Sequence, residues 1–292
     1  YKSGGEKDEA ADLGAQYTMD LLEKFQLSND DLLGIFDYVK ASGGVPLCTP
    51  WDLESLKILE EYGMEAYKVA SADFTNFELI DALAATGKPL LCSTGMSTEL
   101  EIKRSVEYLR SRGAEFALLH CNSTYPTPFK DVHLAYLSKL RDLSGGVVGY
   151  SGHERGISVP LASIPLGAKI IEKHFTLDKN LEGNDHKVSL LPDEFKVMVR
   201  QIREVEEALG DCGERAISQG EMMNREILAK SIVAAKNIVK DEKITRGMLK
   251  VRSPGQGLQP LYMEELLGRT AKRNMVDGDF FYESDLVDEA VE

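Results

Sequence analysis

Two histidines, His153 and His174, stand 21 residues apart. Each follows a short apolar run: residues 147–150 lead into Ser-Gly-His153, and residues 168–171 into Glu172-Lys-His174. An apolar run that ends in a histidine is how a buried parallel strand delivers a ligand to a rim. A spacing of one strand–helix–strand unit puts the two imidazoles on neighbouring strand ends. Between 149 and 189 lie three of the chain's five histidines, together with Glu154, Glu172 and Asp185. Such a set, nitrogen and oxygen without sulfur, suits Mn²⁺, Mg²⁺ or Fe²⁺ better than structural zinc. A pair of hydrogen-bonded structural histidines is the competing reading; the adjacent-strand spacing with Asp185 nearby favours a metal.

Lys68 interrupts the apolar run 66–70. An ammonium pointing into a barrel mouth needs an anion, such as a substrate phosphate or carboxylate; the alternative is a lysine snorkelling at a strand edge. Ser71, Ser93, Thr94 and Gly95 end the neighbouring runs and supply hydroxyls and N–H groups of the kind that cradle a phosphate. Ser151 ends the run 147–150 in the same way. The loop Cys121-Asn-Ser-Thr-Tyr125-Pro-Thr-Pro is stiffened by two prolines, and Tyr125 could line a sugar site or simply form a turn. No base is singled out for Cys121, so a nucleophilic role is not expected. Arg252 sits in Val-Arg-Ser-Pro-Gly-Gln-Gly, a loop that could present it to an anion across an interface or leave it solvated.

The elements that must position these groups alternate. Apolar runs at 45–48, 66–70, 89–92, 116–120, 147–150 and 168–171 are separated by amphipathic patterns at 52–62, 76–85, 98–111 (with Ser97 as N-cap), 132–143 and 157–166. This predicts a parallel sheet with helices outside. All six runs end in polar residues, as at the rim of a (β/α)₈ TIM barrel, whereas an open sheet uses only its switch point. With six strands counted, the first two of eight are expected to precede Tyr1, making the chain an N-terminally truncated barrel. Residues 193–209 read as the last barrel helix, so the barrel domain is placed at 1–210 and a linker at 211–228. Residues 229–292 form a compact β-rich module: a strand at 231–235, short helices at 244–249 and 261–267, a Gly/Pro-rich stretch at 251–260 and a segment at 271–275.

The 292 residues carry a formal net charge of −14, which argues against a nucleic-acid partner. No apolar run approaches the ~20 residues of a membrane span. Four cysteines without CxxC spacing are expected to be reduced thiols in a cytoplasmic protein.

Tyr67-Lys-Val-Ala-Ser, Gly87-Lys-Pro-Leu-Leu-Cys-Ser-Thr-Gly-Met, His120-Cys, Tyr125-Pro-Thr-Pro, Gly149-Tyr-Ser-Gly-His, Glu172-Lys-His-Phe-Thr-Leu-Asp and Asp185-His-Lys together resemble the sialic acid (N-acetylneuraminate) synthase family, the phosphoenolpyruvate-dependent nonulosonate synthases. The tail from about Leu228, with Arg252-Ser-Pro-Gly-Gln-Gly, resembles their antifreeze-like SAF domain. The resemblance implies a barrel that binds phosphoenolpyruvate, a divalent metal (usually Mn²⁺) and the open-chain aldehyde of N-acetylmannosamine or a related sugar. It implies His153 and His174 as metal ligands; Lys68, Ser71, Ser93 and Ser151 as phosphoenolpyruvate contacts; and Tyr125, Asp185 and Glu172 near metal, water or sugar, the two acids being the catalytic candidates. It implies a domain-swapped homodimer in which Arg252 reaches a second subunit's site.

The chain departs from the family pattern in places. Asp73 stands where many members have Glu, Ser123 where some have Asn, and Ser253 separates Arg252 from Pro254. The family's first-strand Glu and second-strand Lys would precede Tyr1, so a chain without them is expected to be inactive or nearly so. The alternatives are a related barrel synthase making a legionaminate- or pseudaminate-type acid, one making a shorter 2-keto acid, and a non-catalytic carbohydrate-binding protein.

Overall fold

The computed structural model describes residues 23–183 and 185–287. The chain divides into two compact units, Tyr1–Gly210 and Asp211–Glu292. In the first, five parallel strands lie in chain order: β1 Tyr67–Val69, β2 Leu90–Ser93, β3 Phe116–Cys121, β4 Val148–Gly152 and β5 Ile170–Lys173. Single parallel bridges extend the sheet on both sides, Cys48 to Tyr67 and Phe175 to Leu190. The result is a half-barrel α/β fold. Of the six expected strands, the run 45–48 contributes only the Cys48 bridge. Val45 and Leu47 are exposed, and among the described residues the run pairs only with β1. The strands expected before Tyr1 lie outside the described residues.

Helices follow the strands. α1 spans Asn29–Ala41 and α2 Leu53–Tyr62; α3 (Phe77–Ala85), α4 (Glu99–Ser111), α5 (Tyr136–Ser144) and α6 (Ser158–Ser163) cross between strands, and α7 is Pro192–Leu209. Their starts carry the expected chemistry: the side chains of Asp52 and Asn76 accept from Ser55 and Leu79 N–H. α1 was not anticipated, although Ser28 caps it and Asp30 and Asp31 fill its first turn. α4 is capped by Thr98 rather than Ser97, because Glu101 completes a capping box with Thr98. The pattern at 132–143 becomes helix only from Tyr136; His133 holds φ 49, a left-handed conformation that no helix can run through.

The ladder fixes which side chains share a face. Gly149 pairs with Ile170, Ser151 with Glu172 and Cys121 with Ser151. Alternation then puts Lys68, Ser93, Cys121, Ser151 and Glu172 on one face. The other face carries Tyr67, Val69, Leu90, Cys92, Leu118 and Val148, which are buried in the main core with Ile80 and Leu83 of α3, Val106 and Leu109 of α4, and Leu137 and Leu140 of α5. The large apolar core therefore lies between sheet and helices, which frees the inward face for polar groups.

In the second unit, β6 (Ser231–Ala234) pairs antiparallel with β7 (Leu249–Arg252). Bridges Val233–Phe280, Ile238–Met275 and Ala271–Leu286 close it over a core that includes Ile232, Ile244, Leu266 and Phe281. Three expectations change here. The segment 211–228 is not all linker, because Ser218 and Glu221 cap α8, Gln219–Leu228. The pattern at 244–249 is a 3₁₀ turn, Arg246–Met248, that leads directly into β7. The second short helix is confined to α9, Met263–Leu266, after a 3₁₀ turn.

Candidate active site

A cavity of about 540 Å³ opens at the C-terminal ends of β1–β5. It is lined by Lys68 and Ser71 from β1 and its following turn, Ser93 from β2, Tyr125 beyond β3, Ser151 and His153 from β4, Glu172 and His174 from β5, and Asp185; Thr94, expected with them, instead donates its hydroxyl to the Leu119 carbonyl at 3.1 Å. Convergence follows from register. Cys121, Ser151 and Glu172 occupy one rung, and two residues beyond it on the same face come His153 and His174.

Lys68 is 7% exposed. Its ammonium donates to Ser93 Oγ at 2.7 Å and to the Val69 carbonyl at 2.9 Å. The Glu172 carboxylate lies 3.7 Å away, an ion-pair distance but not a hydrogen bond. The ammonium has three protons, so one remains for a ligand. Ser71 Oγ accepts from Gly95 N–H at 3.1 Å. Gly95 itself is enclosed: a Cβ there would come within 2.3 Å of Ser123 Oγ, 2.7 Å of Ser71 Oγ and 3.1 Å of Cys121 Sγ. Only glycine lets the β2 loop fold this closely onto the cavity's hydroxyls.

The imidazoles of His153 and His174 lie 5.0 Å apart between ring centroids, and Tyr125 packs 4.2 Å from His153. His153 Nδ1 is 2.8 Å from the Asn122 carbonyl. A carbonyl only accepts, so Nδ1 carries the proton and Nε2 of the neutral ring keeps its lone pair. This is the arrangement a metal-ligating histidine requires. His174 Nδ1 lies 3.8 Å from Asp185 Oδ2. Burial lowers the pKa of His174 below the ordinary histidine value, with Asp185 opposing. Burial also pushes His153 down, but contacts with Cys121 and Asn122 outweigh it and its pKa is raised. Tyr125 is pushed up to about 12, first by burial and then by the negative charge of Cys121, Asp185 and Glu172.

Not every residue of the 149–189 window joins the site. His186 turns away and shares a 2.7 Å hydrogen bond with Thr176 Oγ1. Glu154 is enclosed on the reverse face. Among the described residues, no three His, Cys, Asp or Glu side chains converge closely enough to cage an ion by themselves; the cavity offers two imidazoles. Cys121 was set aside for want of a base. It lies 3.8 Å from His153 Nδ1 and 3.6 Å from Ser71 Oγ. Burial raises this thiol, and the contacts from His153, Ser71 and Ser123 more than offset that, leaving it below the ordinary thiol value. Strand parity, which puts Cys121 on the Ser151 face, was the signal for it. His120 points the other way and hydrogen-bonds the Val132 carbonyl at 2.6 Å. Arg252 ends β7 in the second unit, exposed to solvent. No helix among the described residues is long and apolar enough to cross a membrane.

Residues 2–214 match the model described as the NeuB family, and residues 229–287 match the SAF domain. The chain belongs to the NeuB family. It is 41% identical over 240 residues to the N,N'-diacetyllegionaminic acid synthase of Campylobacter jejuni, a match covering 81% of this chain and 72% of that one. To the N-acetylneuraminate-9-phosphate synthase of Homo sapiens it is 33% identical over 265 residues, covering 90% and 73%. Among solved structures, the N-acetylneuraminic acid synthetase of Leptospira borgpetersenii superposes with a TM-score of 0.68 at 30% identity, over 75% of this chain and 78% of that one. This NeuB-family protein is accordingly an enzyme, a transferase of the sialic-acid-synthase type.

Proposed function

We propose that the chain condenses phosphoenolpyruvate with an open-chain amino-sugar aldehyde to give a nine-carbon 2-keto sugar acid and phosphate. One observation carries this reading: a buried ammonium, four serine hydroxyls, two imidazoles and two carboxylates, from five successive strand ends and the segments that follow them, share one cavity. Lys68, Ser71, Ser93 and Ser151 bind phosphoenolpyruvate, Lys68 spending its free proton on the phosphate or carboxylate. That fixes C3 of phosphoenolpyruvate against the aldehyde carbon. As C3 attacks, water adds at C2 and the phosphate departs. Glu172 and Asp185 are the groups that take and return protons at the water and at the sugar oxygen, while Tyr125 closes one wall against the sugar.

His153, with Nε2 free, and His174 would hold a divalent ion; the donor set suits Mn²⁺, Mg²⁺ or Fe²⁺, and the family resemblance implies Mn²⁺. When bound, that ion supplies Lewis acidity at an oxygen. Arg252 is assigned to substrate recognition across a domain-swapped homodimer. The acceptor we favour is a 2,4-diacetamido hexose, on the 41% identity to the diacetyllegionaminic acid synthase of Campylobacter jejuni; the Legionella pneumophila enzyme of that name and the human N-acetylneuraminate-9-phosphate synthase stand level at 33%.

Phosphate release from phosphoenolpyruvate with Mn²⁺ tests the reading, with N-acetylmannosamine, its 6-phosphate and the diacetamido hexose compared. The assay uses the chain as it stands and one extended to carry the family's first-strand Glu. Release by the extended chain with the diacetamido hexose, abolished by His174→Ala, is expected, with little or none from the chain as it stands. Preference for N-acetylmannosamine would correct the acceptor. Silence in a folded protein that binds Mn²⁺ would reject all three sugars.

A further inference from the structure

The β4–β5 ladder ends at the pair Gly152–Lys173, one residue before His153 and His174. Beyond that rung no backbone hydrogen bond of the ladder fixes one imidazole against the other. What joins the two strand ends lies on the reverse face of the sheet. Lys173 Nζ donates to Glu154 Oε1 at 2.8 Å and to the Glu154 backbone carbonyl. Both side chains are 0% exposed. Tyr150 OH donates to the other carboxylate oxygen, Oε2, at 2.5 Å. The space for this arrangement comes from Gly152, where a Cβ would meet Glu154 Oε2 and Tyr150 Cε1 at 2.7 Å each. Glu154 adjoins His153 and Lys173 adjoins His174, so the ion pair ties together the very peptides that carry the two imidazoles.

We infer that Lys173 and Glu154 are positioning residues, a buried clamp that sets the separation of His153 and His174 and thereby the affinity for a divalent ion. This rests on the metal reading given above. A sealed ion pair is a poor source of net stability, since desolvation roughly cancels its attraction, and well-packed apolar replacements are often neutral or better. The chain nonetheless keeps one immediately behind its two candidate ligands. The two bonds from one ammonium, to a carboxylate and to the main chain of the same residue, fix direction as well as distance. An apolar pair would fill the volume without doing so.

The experiment compares the unsubstituted chain with Glu154→Met/Lys173→Met, whose methionines fill similar volume without leaving a buried charge. Lys173→Arg serves as the conservative variant. Three readouts are taken: melting temperature, Mn²⁺ affinity by electron paramagnetic resonance, and imidazole ¹H–¹⁵N spectra without metal. The double variant is expected to fold and to bind Mn²⁺ about 10- to 100-fold more weakly, the usual effect of losing outer-shell support. Its His153 and His174 signals should shift while those of His133 and His186 stay in place. Lys173→Arg should recover part of the affinity. If the double variant binds Mn²⁺ within twofold of the unsubstituted chain, or its His153 and His174 signals do not move, the clamp is only structural and the inference is overturned. If the unsubstituted chain binds no Mn²⁺, the metal reading fails; the imidazole spectra alone then decide whether the clamp positions the histidines. Should the double variant not fold, Glu154→Gln is measured in its place against the same outcomes.

Discussion

Two lysines enter the sheet of the first unit, and they are buried for different reasons. Lys68 of β1 faces the cavity, 7% exposed, with two hydrogen bonds and a carboxylate 3.7 Å away. Lys173 of β5 faces the other way, sealed against Glu154 and satisfied twice by it. Each ammonium makes two hydrogen bonds; that of Lys68 borders the cavity with its carboxylate 3.7 Å off, whereas that of Lys173 is sealed with its counter-ion at 2.8 Å. A buried charge thus reads as a binding group or a structural tie according to whether it borders open space or a hydrogen-bonded counter-ion.

The comparison can be broken by exchanging the roles. Lys68→Met should reduce phosphate release by at least about 10²-fold, the scale on which an aligned charge contributes to such a step. Its melting temperature should barely move, because the orphaned Ser93 hydroxyl borders the cavity; a large stability loss would make Lys68 structural. His174→Ala comes next and should abolish measurable Mn²⁺ binding in calorimetry while leaving the far-ultraviolet circular dichroism unchanged. Lys173→Met alone should show the opposite balance, costing about 3–5 kcal/mol in denaturant unfolding by stranding the Glu154 carboxylate. Gly152→Ala probes the same tie more gently, with a loss of about 1–3 kcal/mol from overpacking against Glu154 and Tyr150. The smallest effect belongs to a surface pair. Lys103 and Lys139 hold the Glu99 carboxyl down at about 2. With the folded value below the unfolded one, its contribution is full above the ordinary Glu range and fades as pH falls toward 2. Glu99→Gln should therefore lower the melting temperature slightly at pH 7 and by less at pH 2.

Much of this was legible before any coordinates. Strand ends marked by Ser71, Ser93, Ser151 and His174 predicted the parallel sheet and the rim, because an apolar run that stops at a polar residue is a local signal. The same locality explains the errors. Composition at 149–189 could not separate His153 from its neighbour Glu154, yet a period of two puts them on opposite faces, and the ladder sends Glu154 to Lys173. His186 was beyond reach, since it lies on a 3₁₀ turn whose contact with Thr176 is set by tertiary packing. Residues 45–48 read as a full strand by hydrophobicity alone, but pairing reaches only Cys48. Gly95 was noticed for its N–H, whereas its crowding against Ser71, Ser123 and Cys121 needs three strand ends in place at once.

The alternation of the sheet also separates two kinds of inheritance. Apolar packing against the helices uses one parity of position, and the cavity wall uses the other. A lineage could therefore exchange a cavity-lining position such as Cys121, and with it the shape offered to an acceptor, while Leu118, Val148 and Leu90 go on holding the fold. Diversity in what such a scaffold accepts, and constancy in how it folds, can be written into the same few strands without competing for the same residues.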